Sequence, residues 1–375
     1  MNDQIAIREM LPDEEKKVRL LFKKSLSLID RIAFSLAFNE TLKSIRRQRG
    51  SCLVALNEGK VVGSYSLRIV SIAGQSIGLI DAIVTDQDLR GKGIGKRLIG
   101  EALSWFKNRK CDIICATVDR YNSPSWNMFI HNGFSNYGFP IQFRDLGWNF
   151  IRLWFTEGHI IGFGTFFLIK TDSVQEQRKV GQTWHFLVAW LVLAFLWWIP
   201  TLRGGSSPLM IPLILGVTGL SLFLHEFAHR LAASFFGLKT VFRVWESGLL
   251  FSSALALFGA FLPAYGSTYV NQVDWQYDGK RKENGLFFMA GPVVSLILAI
   301  SFWIVMLFAT SELLLATARV GYITNLVFTI LNLLPLRAAG GPAAWDGLKI
   351  FTWNKIVWSL LTIGVISLIA IDVLF

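Results

Sequence analysis

Cysteine is scarce: Cys52, Cys111 and Cys115 are odd in number and show no framework spacing. That excludes a disulfide-stapled secreted scaffold and suits a reducing compartment. Cys111-Asp-Ile-Ile-Cys115 supplies only two thiols, short of the four ligands a structural zinc takes. Charge is unevenly spread, with 44 charged residues in 1–183 and only 19 in 184–375. The second part is therefore too apolar for an ordinary soluble domain. A secretory signal pattern is also missing, since Met1 to Met10 is mixed and polar. Acidic residues are outnumbered, giving a net charge of +11. In a chain with apolar spans such an excess points to Lys and Arg in cytoplasmic loops, and no nucleic-acid partner is expected.

Residues 1–170 alternate strand-like and helix-like signals. Ile5 to Met10 reads as a strand and Asp13 to Ile29 as a periodic helix. Ser51 to Leu56 and Val61 to Val70 flank the turn Asn57-Glu58-Gly59-Lys60 as a hairpin. Ile77 to Thr85 is a further strand, running into Arg90-Gly91-Lys92-Gly93-Ile94-Gly95-Lys96 and then a helix to about Lys107. A strand, glycine-rich turn and helix start expose successive backbone N–H groups at a positive dipole end, which suits an anion.

The segment Arg90-x-x-Gly93-x-Gly95 resembles the pyrophosphate loop of the GNAT acetyltransferases. Asn122-Ser-Pro-Ser-Trp-Asn-Met-Phe129 and Gly133-Phe134 resemble that family's second motif. The resemblance covers roughly 5–150. It implies an α/β fold, a mixed central sheet flanked by helices, and acetyl-CoA bound by Arg90, Gly91, Lys92, Gly93, Ile94, Gly95, Lys96 and Asn122. Many members carry a tyrosine that protonates the coenzyme thiolate; Phe129 stands there and cannot transfer a proton. Asp81 is the nearby candidate for an acetyl-transfer base, beside its alternative as a solvated strand-end carboxylate. The domain either acetylates an amine or senses acetyl-CoA.

From residue 184 the pattern changes to apolar runs. Trp184 to Pro200, Leu209 to Gly237, Leu286 to Ala309, Leu313 to Leu334 and Ile356 to Phe375 each approach the ~20 residues that cross a hydrocarbon core. The expected organisation is a domain over 1–170, a linker over 171–183 and an all-α polytopic membrane domain over 184–375. Gly248 to Tyr269 is apolar but rich in Gly and Ser, so it either crosses or re-enters. If it re-enters and the N-terminal domain is cytoplasmic, Lys170, Arg178, Lys179, Lys239, Arg243, Lys280, Arg281, Lys282, Arg337, Lys349 and Lys355 all lie inside. Positive charge inside favours that arrangement, and irregular backbone at membrane depth is tolerated where it lines a cavity.

Within the second run stands His225-Glu226-Phe-Ala-His229. The i, i+4 spacing puts both imidazoles on one helix face, able to reach one metal. Glu226 is placed to take a proton from the attacking water. A catalytic zinc takes a third protein ligand. Asn332-Leu-Leu-Pro335 followed by Asp346-Gly347 resembles the Asn-x-x-Pro…Asp-Gly motif of the site-2 protease family of intramembrane metalloproteases. That resemblance, over about 184–355, implies Asp346 as third ligand and Asn332 as a group on the substrate backbone or scissile carbonyl. Ten residues, Leu336 to Trp345, separate Pro335 from Asp346, more than the family usually has. Gly291-Pro292-Val-Val-Ser295 resembles its Gly-Pro-x-x-Asn segment, with Ser for Asn.

The expectation is an intramembrane zinc metalloprotease in the cell membrane, acting on membrane-spanning protein substrates, with a fused acetyl-CoA-binding domain. Two alternatives remain at this point: a membrane-tethered N-acetyltransferase, and a non-catalytic membrane sensor with a relict zinc site.

Overall fold

The structure, a computed structural model, describes residues 5–26, 28–120, 122–160, 162–171, 181–204, 208–270, 281–335 and 346–374. The long gap from Leu336 to Trp345 and most of the expected linker lie outside them. The chain forms two compact units.

The first unit is built on a seven-stranded mixed sheet of order β1-β2-β3-β4-β5-β7-β6. Its strands are β1 Ile5–Glu9, β2 Gly50–Asn57, β3 Lys60–Ile72, β4 Gln75–Thr85, β5 Ile113–Asp119, β6 Ser135–Asn136 and β7 Thr165–Thr171. Only β4 and β5 pair in parallel. Helices α1 Glu15–Ser25 and α2 Leu28–Arg46 precede β2. A single helix was expected over 13–29; the chain instead turns at Leu26, an extended C-cap, and starts a second helix. Helix α3 Ile94–Asn108 follows the glycine-rich turn, and α4 Ser123–His131, α5 Phe139–Leu146 and α6 Phe150–Thr156 complete the unit.

The helices cover both sheet faces because the strand residues alternate between them. On one face Tyr65, Leu67 and Ala116 pack with Leu98, Phe106 and Phe129; on the other Leu79, Cys115 and Phe167 pack with Phe150 and Trp154. The parallel ladder is short. It joins Ile77–Ile80 to Ile113–Ala116, although both strands continue beyond. No β4–β5 pairing is formed past Ile80 and Ala116 among the described residues.

Among its described residues, the second unit has five helices long and apolar enough to cross a membrane. They are α7 Gln182–Arg203, α8 Met210–Phe235, α10 Arg281–Phe308, α11 Glu312–Leu333 and α13 Lys355–Leu374. Outward residues such as Phe223, Phe227, Leu231, Ile297 and Ile304 are exposed and apolar, as lipid contact requires. The ambiguous stretch resolves into α9 Glu246–Leu257 and strand β9 Gly266–Val270, which pairs antiparallel with β8 Thr240–Val244. Twelve helical residues rise about 18 Å, less than a hydrocarbon core. This two-stranded sheet departs from the all-α expectation. A short helix, α12 Gly347–Trp353, follows Asp346.

Candidate metal centre and glycine-rich loop

Helix α8 carries His225, Glu226 and His229, all buried. His225 lies ten residues before the helix end, about 15 Å along the axis. The two imidazoles present Nε2 to Nε2 at 3.3 Å. His229 Nε2 also faces Asp346 Oδ2 at 3.4 Å. A tetrahedral zinc with bonds of about 2.0–2.1 Å sets its ligand atoms about 3.3 Å apart. Both distances fit that edge. Among the described residues no three His, Cys, Asp or Glu side chains already close around one point, so the fit rests on these two edges and on the chemistry of the donors.

That chemistry is specific. His229 Nδ1 stands 2.8 Å from the Phe287 carbonyl oxygen. A carbonyl only accepts, so Nδ1 carries the proton and Nε2 keeps its lone pair for a metal. His225 Nδ1 stands 2.8 Å from Ser295 Oγ, which orients that ring in the same way. Both partners belong to α10. So does Gly291, where an added Cβ would lie 2.2 Å from His229 Nε2 and 2.7 Å from His225 Nε2. The backbone of α10 therefore forms one wall of the pocket, and only glycine fits there.

Asp346 reaches this depth through Gly347. A Cβ on Gly347 would lie 2.4 Å from the Leu333 carbonyl, so the start of α12 is pressed onto the end of α11. At the other end of α12, Trp353 lies against Gly285 of α10. Lys349 places its ammonium 3.9 Å from Asp346 Oδ1 and 3.8 Å from the centre of the Phe288 ring. Asn332 Nδ2 donates to the Phe328 carbonyl at 3.0 Å and lies 3.5 Å from His225 Nε2. The Glu226 carboxylate accepts from Thr268 Oγ1 at 2.5 Å. Thr268 is on β9, so the short sheet and α8 meet at the candidate base. A small pocket beside them is lined by Tyr265, Gly266, Phe328 and Asn332.

In the first unit, Gly91 and Gly93 both have φ of 78°, a left-handed conformation that other residues adopt at a cost. Gly93 caps α3, whose first N–H groups have no partner within the helix. A Cβ on Gly95 would lie 3.0 Å from Met128 Sδ, and Tyr65 donates its hydroxyl to the Gly95 carbonyl at 3.1 Å. Lys92 and Lys96 are exposed and Ile94 is buried. Arg90 is turned toward the Ser25 carbonyl at 3.4 Å. Asn122 uses its side chain to cap α4, accepting from Ser125 N at 3.2 Å. Phe129 is fully buried against Phe134.

Asp81 requires a correction. It is neither a solvated carboxylate nor a free base. Both its oxygens are engaged by Arg68, through Nε and through Nη2 at 2.7 Å from Oδ1. Beside them Glu157 is buried, 3.8 Å from Arg68 Nη2, and Thr117 Oγ1 lies 3.4 Å from its Oε2. Burial, then the Asp81 charge, pushes the Glu157 carboxyl well above the usual range. Glu157 therefore stands as a second buried carboxyl beside the Arg68–Asp81 pair.

Comparison with known proteins separates the same two units. The GNAT acetyltransferase family model matches residues 19–134, and the peptidase family M50 model matches 213–318. “Putative zinc metalloprotease MJ0611” of Methanocaldococcus jannaschii is 31% identical over 179 residues, 47% of this chain and 86% of that protein. The chain belongs to peptidase family M50. Its first unit is a GNAT-family domain. Among solved structures, the PaiA N-acetyltransferase of Thermoplasma acidophilum, in complex with coenzyme A, is 16% identical over 44% of this chain and 98% of its own, with a TM-score of 0.33. A GNAT-family acetyltransferase of Elizabethkingia anophelis, with acetyl-CoA bound, is 18% identical over 36% of this chain and 78% of its own, with a TM-score of 0.29.

In this M50 protease the motif residues His225, Glu226, His229, Asn332 and Asp346 are brought together. Gly291 and Ser295, read from the sequence as a segment resembling Gly-Pro-x-x-Asn, wall and orient the two imidazoles, and two further supporting groups, the Phe287 carbonyl and Thr268, escaped that reading. Gly291 and Ser295 sit four apart on one helix face. Phe287 acts through its backbone and Thr268 through a strand pairing, and neither has a sequence signature.

Proposed function

We propose that this M50 protease is an intramembrane zinc endopeptidase that cuts membrane-embedded proteins. The observation that carries the reading is that His229 Nε2 stands at ligand spacing from both His225 Nε2 and Asp346 Oδ2, next to a Glu226 held by Thr268. His225 Nε2, His229 Nε2 and an Asp346 oxygen would hold the zinc. When bound, it acidifies water and polarises a carbonyl. Glu226 takes the proton of the attacking water on its carboxylate and returns it to the leaving amine nitrogen. Thr268 Oγ1 fixes which carboxylate oxygen is free for that work. Asn332 directs its amide to the same space and is placed to donate to the carbonyl under attack.

A helical substrate must first unwind, because its carbonyls are engaged in i to i−4 bonds. The β8–β9 sheet supplies a strand edge beside Glu226 on which an unwound peptide can pair. Multi-pass insertion in the cell membrane with the GNAT domain in the cytoplasm is supported by the distribution of Lys and Arg. For that domain, the left-handed turns at Gly91 and Gly93 and the open start of α3 support acetyl-CoA binding, with the pyrophosphate on the backbone from Arg90 to Lys96. Its product is either an acetylated amine or a change in proteolysis on acetyl-CoA binding. Phe129, buried and with no proton to transfer, favours the regulatory role.

The deciding experiment pairs zinc content with cleavage of a membrane-spanning reporter in proteoliposomes. Wild type holds one zinc and cleaves, Glu226→Gln keeps the zinc without cleaving, and His229→Ala loses both. Undiminished cleavage by Glu226→Gln sinks the proposal. Cleavage measured with and without acetyl-CoA decides the regulatory role.

A further inference from the structure

The GNAT domain carries an apolar face that its own core does not use. Phe139 is 40% exposed, Phe143 42%, Trp148 73% and Phe155 66%. The first three are neighbours: the Phe139 and Phe143 rings are 6.2 Å apart, and Phe143 and Trp148 5.4 Å. They project from α5, from the turn after it and from α6, whose inner residues Phe150, Leu153 and Trp154 are buried. Arg144 and Arg152 are exposed on the same segment. Its one acidic residue between 138 and 156 is Asp145, which is half-buried and already bonded to Arg144 at 2.8 Å. Clustered exposed aromatics mark a binding surface. Trp and Phe set among arginines have the composition of an element that lies in the interface of a bilayer.

We propose that this face docks on the surface of the bilayer, into the headgroup region of anionic lipids. Reach favours this occupant over others. Strand β7 ends at Thr171 and the first span starts at Gln182, so the intervening chain extends at most about 40 Å. The bilayer is thereby always present at high effective concentration. Charge argues against a second copy, because a two-fold contact would set the same patch, arginines included, against itself. It argues for a negative surface, where each arginine adds about fivefold to binding, equivalent to about 1 kcal/mol.

The test uses the full chain with an environment-sensitive fluorophore at Asn149→Cys, next to the patch but leaving it intact, in a Cys111→Ser background. Cys52 and Cys115 are buried and stay unlabelled. A second preparation is labelled at Glu58→Cys, on the β2–β3 turn. Both are reconstituted in phosphatidylcholine vesicles with or without phosphatidylglycerol, and quenching by nitroxide-bearing lipids is read. The label at 149 should be quenched strongly by shallow nitroxides, more so with phosphatidylglycerol, while the label at 58 stays in water. Arg144→Glu with Arg152→Glu, both surface changes, should lower docking on the order of tenfold or more in anionic vesicles only. Equal, water-like signals at 149 and 58 in both vesicles overturn the proposal. So does shielding at 149 that persists in detergent and rises with protein concentration, which would assign the face to a second copy.

Discussion

Gly291 lies so close to His229 that a single added methyl would stand 2.2 Å from Nε2, the atom that faces His225 and Asp346. The wall of the site is therefore backbone, and its shape depends on a missing side chain. Gly291→Ala should reduce bound zinc at least tenfold although all three proposed ligands remain. Gly364→Ala on α13, whose Cβ would meet only the flexible Leu296 side chain at 3.4 Å, should hold zinc like the wild type. Metal analysis of the two purified variants checks this, and full zinc content in Gly291→Ala would refute it.

Ser295 orients His225 from behind. Losing such an orienting bond typically costs 10–100-fold in metal affinity. Ser295→Ala should therefore weaken zinc by roughly that factor in competition with a chelator, and Ser295→Thr, which keeps the hydroxyl, should recover part of it. An unchanged affinity in Ser295→Ala would mean that packing alone holds the ring.

Gly347 sets the position of Asp346. Gly347→Ala meets the Leu333 carbonyl at 2.4 Å, and backbone cannot step aside as a side chain can. The expected outcome matches Asp346→Asn: weakened zinc with His225 and His229 unchanged. Comparing zinc dissociation in the two variants tests whether Asp346 and Gly347 work as a unit.

The GNAT domain should lose stability in mild acid through His159. Burial, and then the Arg120 charge, lower this imidazole from 6.5 to about 3. Unfolded His159 binds a proton below pH 6.5 and folded His159 does not until about pH 3, so protons favour the unfolded state in between. The stabilisation is complete above pH 6.5 and falls as pH drops toward 3. Hydrogen exchange of the β7 peptide across this window should accelerate, and His159→Gln should flatten the dependence. Identical profiles would remove His159 as the cause.

Local periodicity made much of this legible. The five spans and the i, i+4 pair His225 and His229 follow from helical geometry, which acts over a few residues. The glycine turn before α3 was equally readable, since left-handed φ restricts residue type. What escaped depends on distant partners. Asp81 looked like a base until β3 laid Arg68 beside it, a relation set by hairpin register. The depth of Asp346 was not readable across the ten residues after Pro335, because it is fixed by the contact of Gly347 with Leu333. The β8–β9 pair carries too few residues to stand out in an apolar context.

The bond from Thr268 to Glu226 joins two tasks in one element. If β9 is the strand that seats the substrate, the same strand steadies the proton acceptor. Lifting β9 from α8 would then release the peptide and unsettle the base in a single movement. Such coupling acts as an interlock, in which the blade is set only while the workpiece is clamped.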